Sequence, residues 1–217
     1  MLGDLDAACW AYFTYYDKGR FTHWEDGSDT DGVAFGVEYL DDGTQLVAHE
    51  GSHDALDWWR NFQVRLMQHP DLGGIDAGLF AGNDVALGKI KTYLNKDKPV
   101  RLYAHSRGGS NAIYTGASLL LGGYKVAVRA FNPPRTQHQT STRLSQIYAG
   151  QDILIIRTDC DPVSLEPPGY VHPVEPEKFT VAPVDLDPKL EMKYHHIHLN
   201  IVGMALKERG FYGQFSS

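Results

Sequence analysis

Leu102-Tyr103-Ala104-His105-Ser106-Arg107-Gly108-Gly109 decides how this chain is read. The run stands where a short apolar segment, Val100 to Ala104, meets a helical pattern from Ser110 to Leu121, so its serine falls at a strand-to-helix junction. A serine used as a nucleophile at such a junction sits in a tight turn. The residues two places before and after it must be small, because their backbones nearly touch. Ala104 and Gly108 meet that demand. The helix behind the serine points its N-terminus at the reacting centre, and the backbone N–H of Arg107 is a candidate donor to a developing oxyanion.

Outward from this run, strands and helices alternate. Towards the C-terminus come a strand (Val126 to Phe131), a polar and partly helical stretch (Thr136 to Ser145), and another strand (Asp152 to Arg157). Towards the N-terminus, helices are expected over Phe80 to Leu94 and Asp54 to Met67, joined by a flexible Gly73-Gly74 connection. Before them, Val33 to Leu40 and Gln45 to His49 flank Asp41-Asp42-Gly43. That is a hairpin signal, because Asp-Gly tolerates the positive φ of a tight turn. The chain opens on an amphipathic helix with Leu5, Ala8, Cys9, Tyr12, Phe13 and Tyr16 on one face, and Asp26 to Gly32 is a polar loop. Seven prolines between Pro162 and Pro188 predict an irregular surface wrap, after which a last helix spans about His196 to Arg209. This order predicts a single α/β domain over 1–217, a mostly parallel central sheet with helices on both faces.

An activated serine needs a base and an orienting acid. Asp161 follows the strand Asp152 to Arg157, at the carboxyl edge where such sheets place their sites, with Asp159 a competitor in the same loop. His195, His196 and His198 begin the last helix and supply the base. The histidine cluster is too poor in spaced carboxylates or cysteines for a metal site. Asp26 to Asp31 lacks the glycine and glutamate of a calcium loop, so no metal or organic cofactor is expected.

Composition removes other classes. The formal charge of −7 over 217 residues gives no basic field for a nucleic-acid partner. Cys9 and Cys160 imply neither a disulfide framework nor a zinc ribbon. No apolar run is long enough for a membrane span, and the acidic opening Met1-Leu2-Gly3-Asp4-Leu5-Asp6 does not read as a secretory signal. The expectation is a soluble, cytoplasmic protein whose contact with a lipid surface would be transient.

Taken together, the motifs resemble those of the class 3 (fungal-type) lipases, of α/β-hydrolase fold, from about Val33 to Val202. The family's Gly-His-Ser-Leu-Gly-Gly is similar to Ala104 to Gly109, and its Gly-Ser-Pro-Arg to Asn132-Pro133-Pro134-Arg135. Its Phe-Arg-Gly-Thr/Ser element, followed by Asp-Trp, resembles His49-Glu50-Gly51-Ser52 before Asp57-Trp58. The resemblance implies Ser52 as second oxyanion donor and Asp161, before Pro162 and Val163, as the acid. For the base it implies His198, by a His-Leu start to the last helix, with His196 the alternative. Trp58, Trp59 and Phe62 fall where the family places a lid or acyl-binding wall, although such a set also serves simply to pack a helix. Glu50 and Arg107 depart from the family pattern and would put charge near the mouth of the site.

The implied activity is hydrolysis of a small-molecule or lipid carboxylic ester through an acyl-enzyme. A hydrolase of amides or thioesters would use the same triad, and a non-catalytic binding module would keep the same fold.

Overall fold

The computed structural model describes residues 3–52, 64–158 and 161–179, together with Ile197, Ile201 and Ala205. The main sheet grows from the apolar runs flanking the serine. Strands β1 (His23–Glu25), β2 (Phe35–Tyr39), β3 (Gln45–His49), β6 (Val100–His105), β7 (Val126–Phe131), β9 (Asp152–Thr158) and β11 (Glu177–Phe179) lie side by side in that order. β1, β2 and β3 pair antiparallel, through the hairpin expected at Asp42-Gly43, where Gly43 takes φ 80°. From β3 to β11 every pairing is parallel.

Alternation along these strands feeds two cores. Val47, Leu102, Ala104, Val128, Ala130 and Ile155 face one side, where they pack with the helices α2 (Ala77–Phe80), α3 (Asn83–Tyr93), α4 (Arg107–Leu121) and α5 (Arg143–Tyr148). Leu46, Ala48, Tyr103, Phe131 and Ile156 face the other, against α1 (Asp4–Tyr16) and the helical Ile197 and Ile201. Helices thus cover both faces, as the alternation of elements predicts. A second, antiparallel sheet orders β10 (Tyr170–Val171), β8 (Gln137–His138), β5 (Gly73–Asp76) and β4 (Leu66–His69). Ile75 of β5 joins the first core.

Several elements depart from the sequence reading. Residues 54–63 of the helix expected over 54–67 lie outside the described residues, and its end is strand β4, with Met67 paired to Ile75. Gly73-Gly74 is not a flexible connection but part of β5, because Pro70 and Asp71 turn the chain back on itself. The helix expected over 80–94 breaks at Gly82, which adopts φ 79°, and its Val85 is exposed while Ala86 and Ile90 are buried. α1 presents not its aromatic stripe but Ala7, Ala8, Ala11 and Thr14 to the sheet, leaving Tyr16 exposed. Small side chains let the helix axis approach the strands, and the aromatic residues spread along its flanks. The loop at Asp26 to Gly32 also buries Thr30, whose hydroxyl donates to Val33 O at 2.6 Å. The proline-rich wrap contributes β11, which extends the main sheet at its edge. Among the described residues no helix is long and apolar enough to cross a membrane.

Candidate active site

Between the end of β6 and the start of α4, Ser106 takes φ 58° and ψ −133°, a backbone conformation costly for any residue with a Cβ. Neighbouring strands hold it there. Its N–H donates to Phe131 O of β7 at 2.9 Å, and Gly109 N donates back to Ser106 O at 2.9 Å. Ala104 is wholly buried between His49 of β3 and Ala130 of β7. A Cβ on Gly108 would stand 2.6 Å from His49 O and 2.8 Å from Glu50 O, both backbone atoms that cannot swing aside. The expectation of small residues on either side of the serine is met for this reason.

The chain leaving β3 lies directly against this turn. Glu50 N donates to Ala34 O at 2.9 Å, and a Cβ on Gly51 would overlap Tyr15 Oη and stand 2.7 Å from His105 O. Tyr15 Oη and His105 Nδ1 share a hydrogen bond at 3.0 Å. Burial holds the Tyr15 phenol well above its ordinary pKa, so it stays protonated. The end of α1 therefore braces the residue before Ser106 and the glycine before Ser52 at once. Ser52 itself is partly buried at the end of this loop.

Charge at the site differs from the expectation. Glu50, with a side chain only 10% exposed, pairs with Lys18 Nζ at 2.9 Å, and Lys18 also lies 4.7 Å over the Trp24 ring. The glutamate is thus neutralised from α1's side. Arg107 keeps a buried Nε with no hydrogen-bond partner among the described residues, and burial lowers its guanidinium pKa. His49, in the place of the family's phenylalanine, is fully buried next to Phe35. Neither ring nitrogen has a partner among the described residues, and burial pushes its pKa down to about 3.

Asn132, just past β7, adopts φ 45°, a left-handed conformation that asparagine tolerates better than most residues. Its N–H donates to Ile156 O at 2.7 Å, and its Oδ1 accepts from Thr158 N at 2.9 Å, tying the ends of β7 and β9 together. Asp161 follows, fully buried. Its N–H donates to Thr158 O at 3.2 Å, and its Oδ1 accepts from Val163 N at 3.0 Å. Ser164 Oγ donates to Asp161 O at 3.1 Å, so the short turn Val163–Leu165 fixes the backbone of the acid.

Asp159, His195, His196 and His198 lie outside the described residues, as do Trp58, Trp59 and Phe62. Ile197, between two of the histidines in sequence, is helical and 3% exposed, in the same cluster as Tyr103 and Phe131. Tyr15, Lys18 and the bracing role of Asn132 escaped the sequence reading. A tyrosine on a helix face carries no mark of a partner ninety residues away, whereas asparagine where the family pattern has glycine was a usable sign of left-handed backbone.

A mostly parallel sheet covered on both faces, with a strained serine between strand and helix and a buried aspartate beyond a later strand, is the α/β-hydrolase fold. Solved structures similar to it are fungal lipases. The mono- and diacylglycerol lipase of Aspergillus oryzae matches with TM-score 0.65 and 19% identity, over 84% of this chain and 80% of that one. The triacylglyceride lipase of Rhizomucor miehei matches with TM-score 0.62 and 14% identity, over 83% and 78%. A triacylglycerol lipase from Penicillium expansum matches with TM-score 0.61 and 18% identity, over 78% and 76%. No protein-family model matches the sequence, and no curated protein does. At these identities the likeness speaks for the fold, and the chemistry has to be argued from the residues.

Proposed function

We propose that the chain is a serine hydrolase of carboxylic esters, acting through an acyl-enzyme. The observation that carries this reading is Ser106 at φ 58°, held between Phe131 O and a helix N-terminus with Gly108 pressed against the carbonyls of His49 and Glu50. Strain of this kind is kept where the surrounding structure enforces it, and here it fixes one hydroxyl at a sheet edge. Ser106 Oγ attacks the ester carbonyl while His198, or His196, takes its proton. Asp161 orients that histidine and stabilises the imidazolium. The N–H groups of Ser52 and Arg107 receive the oxyanion, the histidine returns the proton to the departing alcohol, and water then releases the acid. The buried Asp161 and the buried Ile197 beside the histidines support this assignment. Trp58, Trp59 and Phe62 would supply an apolar wall for the acyl chain of a lipid or small ester.

A fluorophosphonate probe should label the wild type and leave Ser106→Ala unlabelled; equal labelling of both overturns the reading. Turnover of p-nitrophenyl esters by His198→Ala and His196→Ala then identifies the base, the variant that loses activity marking it.

A further inference from the structure

Arg107 is the first residue of α4 and follows Ser106 directly, so the two Cα atoms are about 3.8 Å apart. The turn around the serine makes no use of the arginine side chain. Phe131 O, Gly109 N and the close approach of Gly108 hold it through backbone atoms. In an α-helix the Cα–Cβ bonds tilt towards the N-terminus, so the side chain of a first residue leads past the helix end. That end is where β6 delivers Ser106 and where the Arg107 N–H would meet an oxyanion.

The guanidinium stands there at a cost. A cation is unfavourable at the positive end of a helix, and the first turn of α4 has no acidic residue to offset it. Burial lowers its pKa, with no carboxylate among the described residues raising it. Arg129 shows the contrast: it is also partly buried, but Asp4 at 3.1 Å and Asp152 at 2.7 Å pair with it and raise its pKa. Glu50, whose carbonyl packs against Gly108, turns its carboxylate to Lys18 at 2.9 Å instead. Among the described residues the Arg107 side chain makes no hydrogen bond or ion pair. Its Nε is closed off from solvent, whereas Nη1 and Nη2 are not. The stem is covered and the outer edge of the fork is presented.

We propose that the site takes esters carrying a carboxylate, which the Arg107 guanidinium binds beside the scissile carbonyl. This rests on the hydrolase reading above and names the substrate class. A guanidinium grips a carboxylate through two parallel N–H···O bonds, and the pair is stronger where water is partly excluded. A single cation suits a monoanion, whereas a phosphomonoester carries about −1.5 to −2 charges. The substrate carboxylate also supplies the negative charge that the first turn of α4 lacks. Where the lipase pattern has leucine, this chain thus holds a charge next to its nucleophile.

Hydrolysis of p-nitrophenyl hexanoate and of mono-p-nitrophenyl adipate, which differ in a terminal carboxylate on acyl chains of equal length, tests the acyl side. Phenyl hexanoate and m-carboxyphenyl hexanoate test the alcohol side. The wild type should favour a carboxylate ester over its neutral counterpart in kcat/KM, chiefly through KM, and the arm in which it does so tells which side of the ester meets Arg107. Arg107→Leu should lower that ratio about tenfold or more, as loss of a charge-assisted hydrogen bond implies, and Arg107→Lys should restore part of it. Added salt should shrink the wild-type preference, a readout that needs no variant. Calorimetry on Ser106→Ala with monoethyl adipate and with m-carboxyphenyl hexanoate reads binding without turnover. Saturable binding of at least one is expected, about tenfold weaker once Arg107→Leu is added. Absence of all ester turnover in the wild type would overturn the hydrolase reading, and the binding arm then decides the role of Arg107 alone. No preference for a carboxylate ester in either arm, a ratio unmoved by Arg107→Leu or by salt, or no saturable binding of either compound would each overturn the proposal.

Discussion

The middle and the margin of the main sheet's carboxyl edge are built on opposite principles. At the middle, backbone meets backbone. Gly108 faces the carbonyls of His49 and Glu50, Gly51 faces His105 O and the Tyr15 hydroxyl, and Ser106 is held at positive φ with 1% of its surface exposed. At the margin, long side chains surround open volume, and Arg135, Arg157 and Lys178 reach into it. Geometry at the middle is set by what cannot fit, and chemistry at the margin by the charged side chains that line its cleft. Substitutions should therefore act through sterics and strain at the middle and through charge at the margin.

The largest effect should come from Ser106→Gly. It removes the hydroxyl and with it, on the hydrolase reading, at least about 10³-fold in ester turnover. It also removes the Cβ that makes φ 58°, ψ −133° costly. Relief of about 1–3 kcal/mol of strain, less about 0.5–1 kcal/mol of glycine entropy, should leave the variant more stable than both the wild type and Ser106→Ala. Urea denaturation of the three proteins measures it. A glycine variant no more stable than the alanine variant would remove strain from the account of the middle. Next in size is Gly108→Ala, whose Cβ would stand 2.6 Å from His49 O. Overpacking of this kind costs about 1–3 kcal/mol. Because the atoms displaced belong to the loop leading to Ser52, turnover should fall with stability. Full activity in a stable Gly108→Ala would break the comparison.

What the sequence disclosed follows the same division. Strands β6, β7 and β9 are buried on both faces and therefore read as continuous apolar runs, and Ser106 was marked by the small residues its turn demands. The hairpin at Asp42-Gly43 was legible from a turn residue with a single conformational use. Leu66–His69 was not, because four residues of alternation are too few to outweigh the helical pattern running into them. β11 hid among prolines, since an edge strand of three residues leaves little periodicity to detect. At the site, position after a strand pointed to Asp161 and Asp159 alike and only the resemblance chose Asp161, whereas the Tyr15–His105 bond and the cleft beside β9 and β11 are products of tertiary contact between segments that share no local pattern.

Two histidines, His49 fully buried in the one region and His172 part-buried in the other, give the smallest and most selective contrast. His49 at the middle and His172 at the margin have pKa values lowered from 6.5 to about 3 and about 4, in both cases chiefly by burial. A group depressed in this way takes up protons first in the unfolded chain, so its neutral burial costs stability only once the pH drops below 6.5. The loss accumulates down to about pH 4 for His172 and about pH 3 for His49. Each contributes a slope of about 1.4 kcal/mol per pH unit, or about 2 kcal/mol by pH 5. His49→Leu should therefore lie within about 1 kcal/mol of the wild type at pH 8, because neither ring nitrogen has a partner to lose among the described residues. Between pH 8 and pH 5 it should lose about 2 kcal/mol less than the wild type does. His172→Leu should flatten the same interval but cost more at pH 8, since it leaves Ser164 O without the donor it holds at 2.9 Å. Urea unfolding of the three proteins at both pH values decides the matter. A His49→Leu variant with the wild-type slope would mean that the middle of the sheet edge is wetter than its packing indicates, and that the separation of a steric centre from a charged margin does not hold.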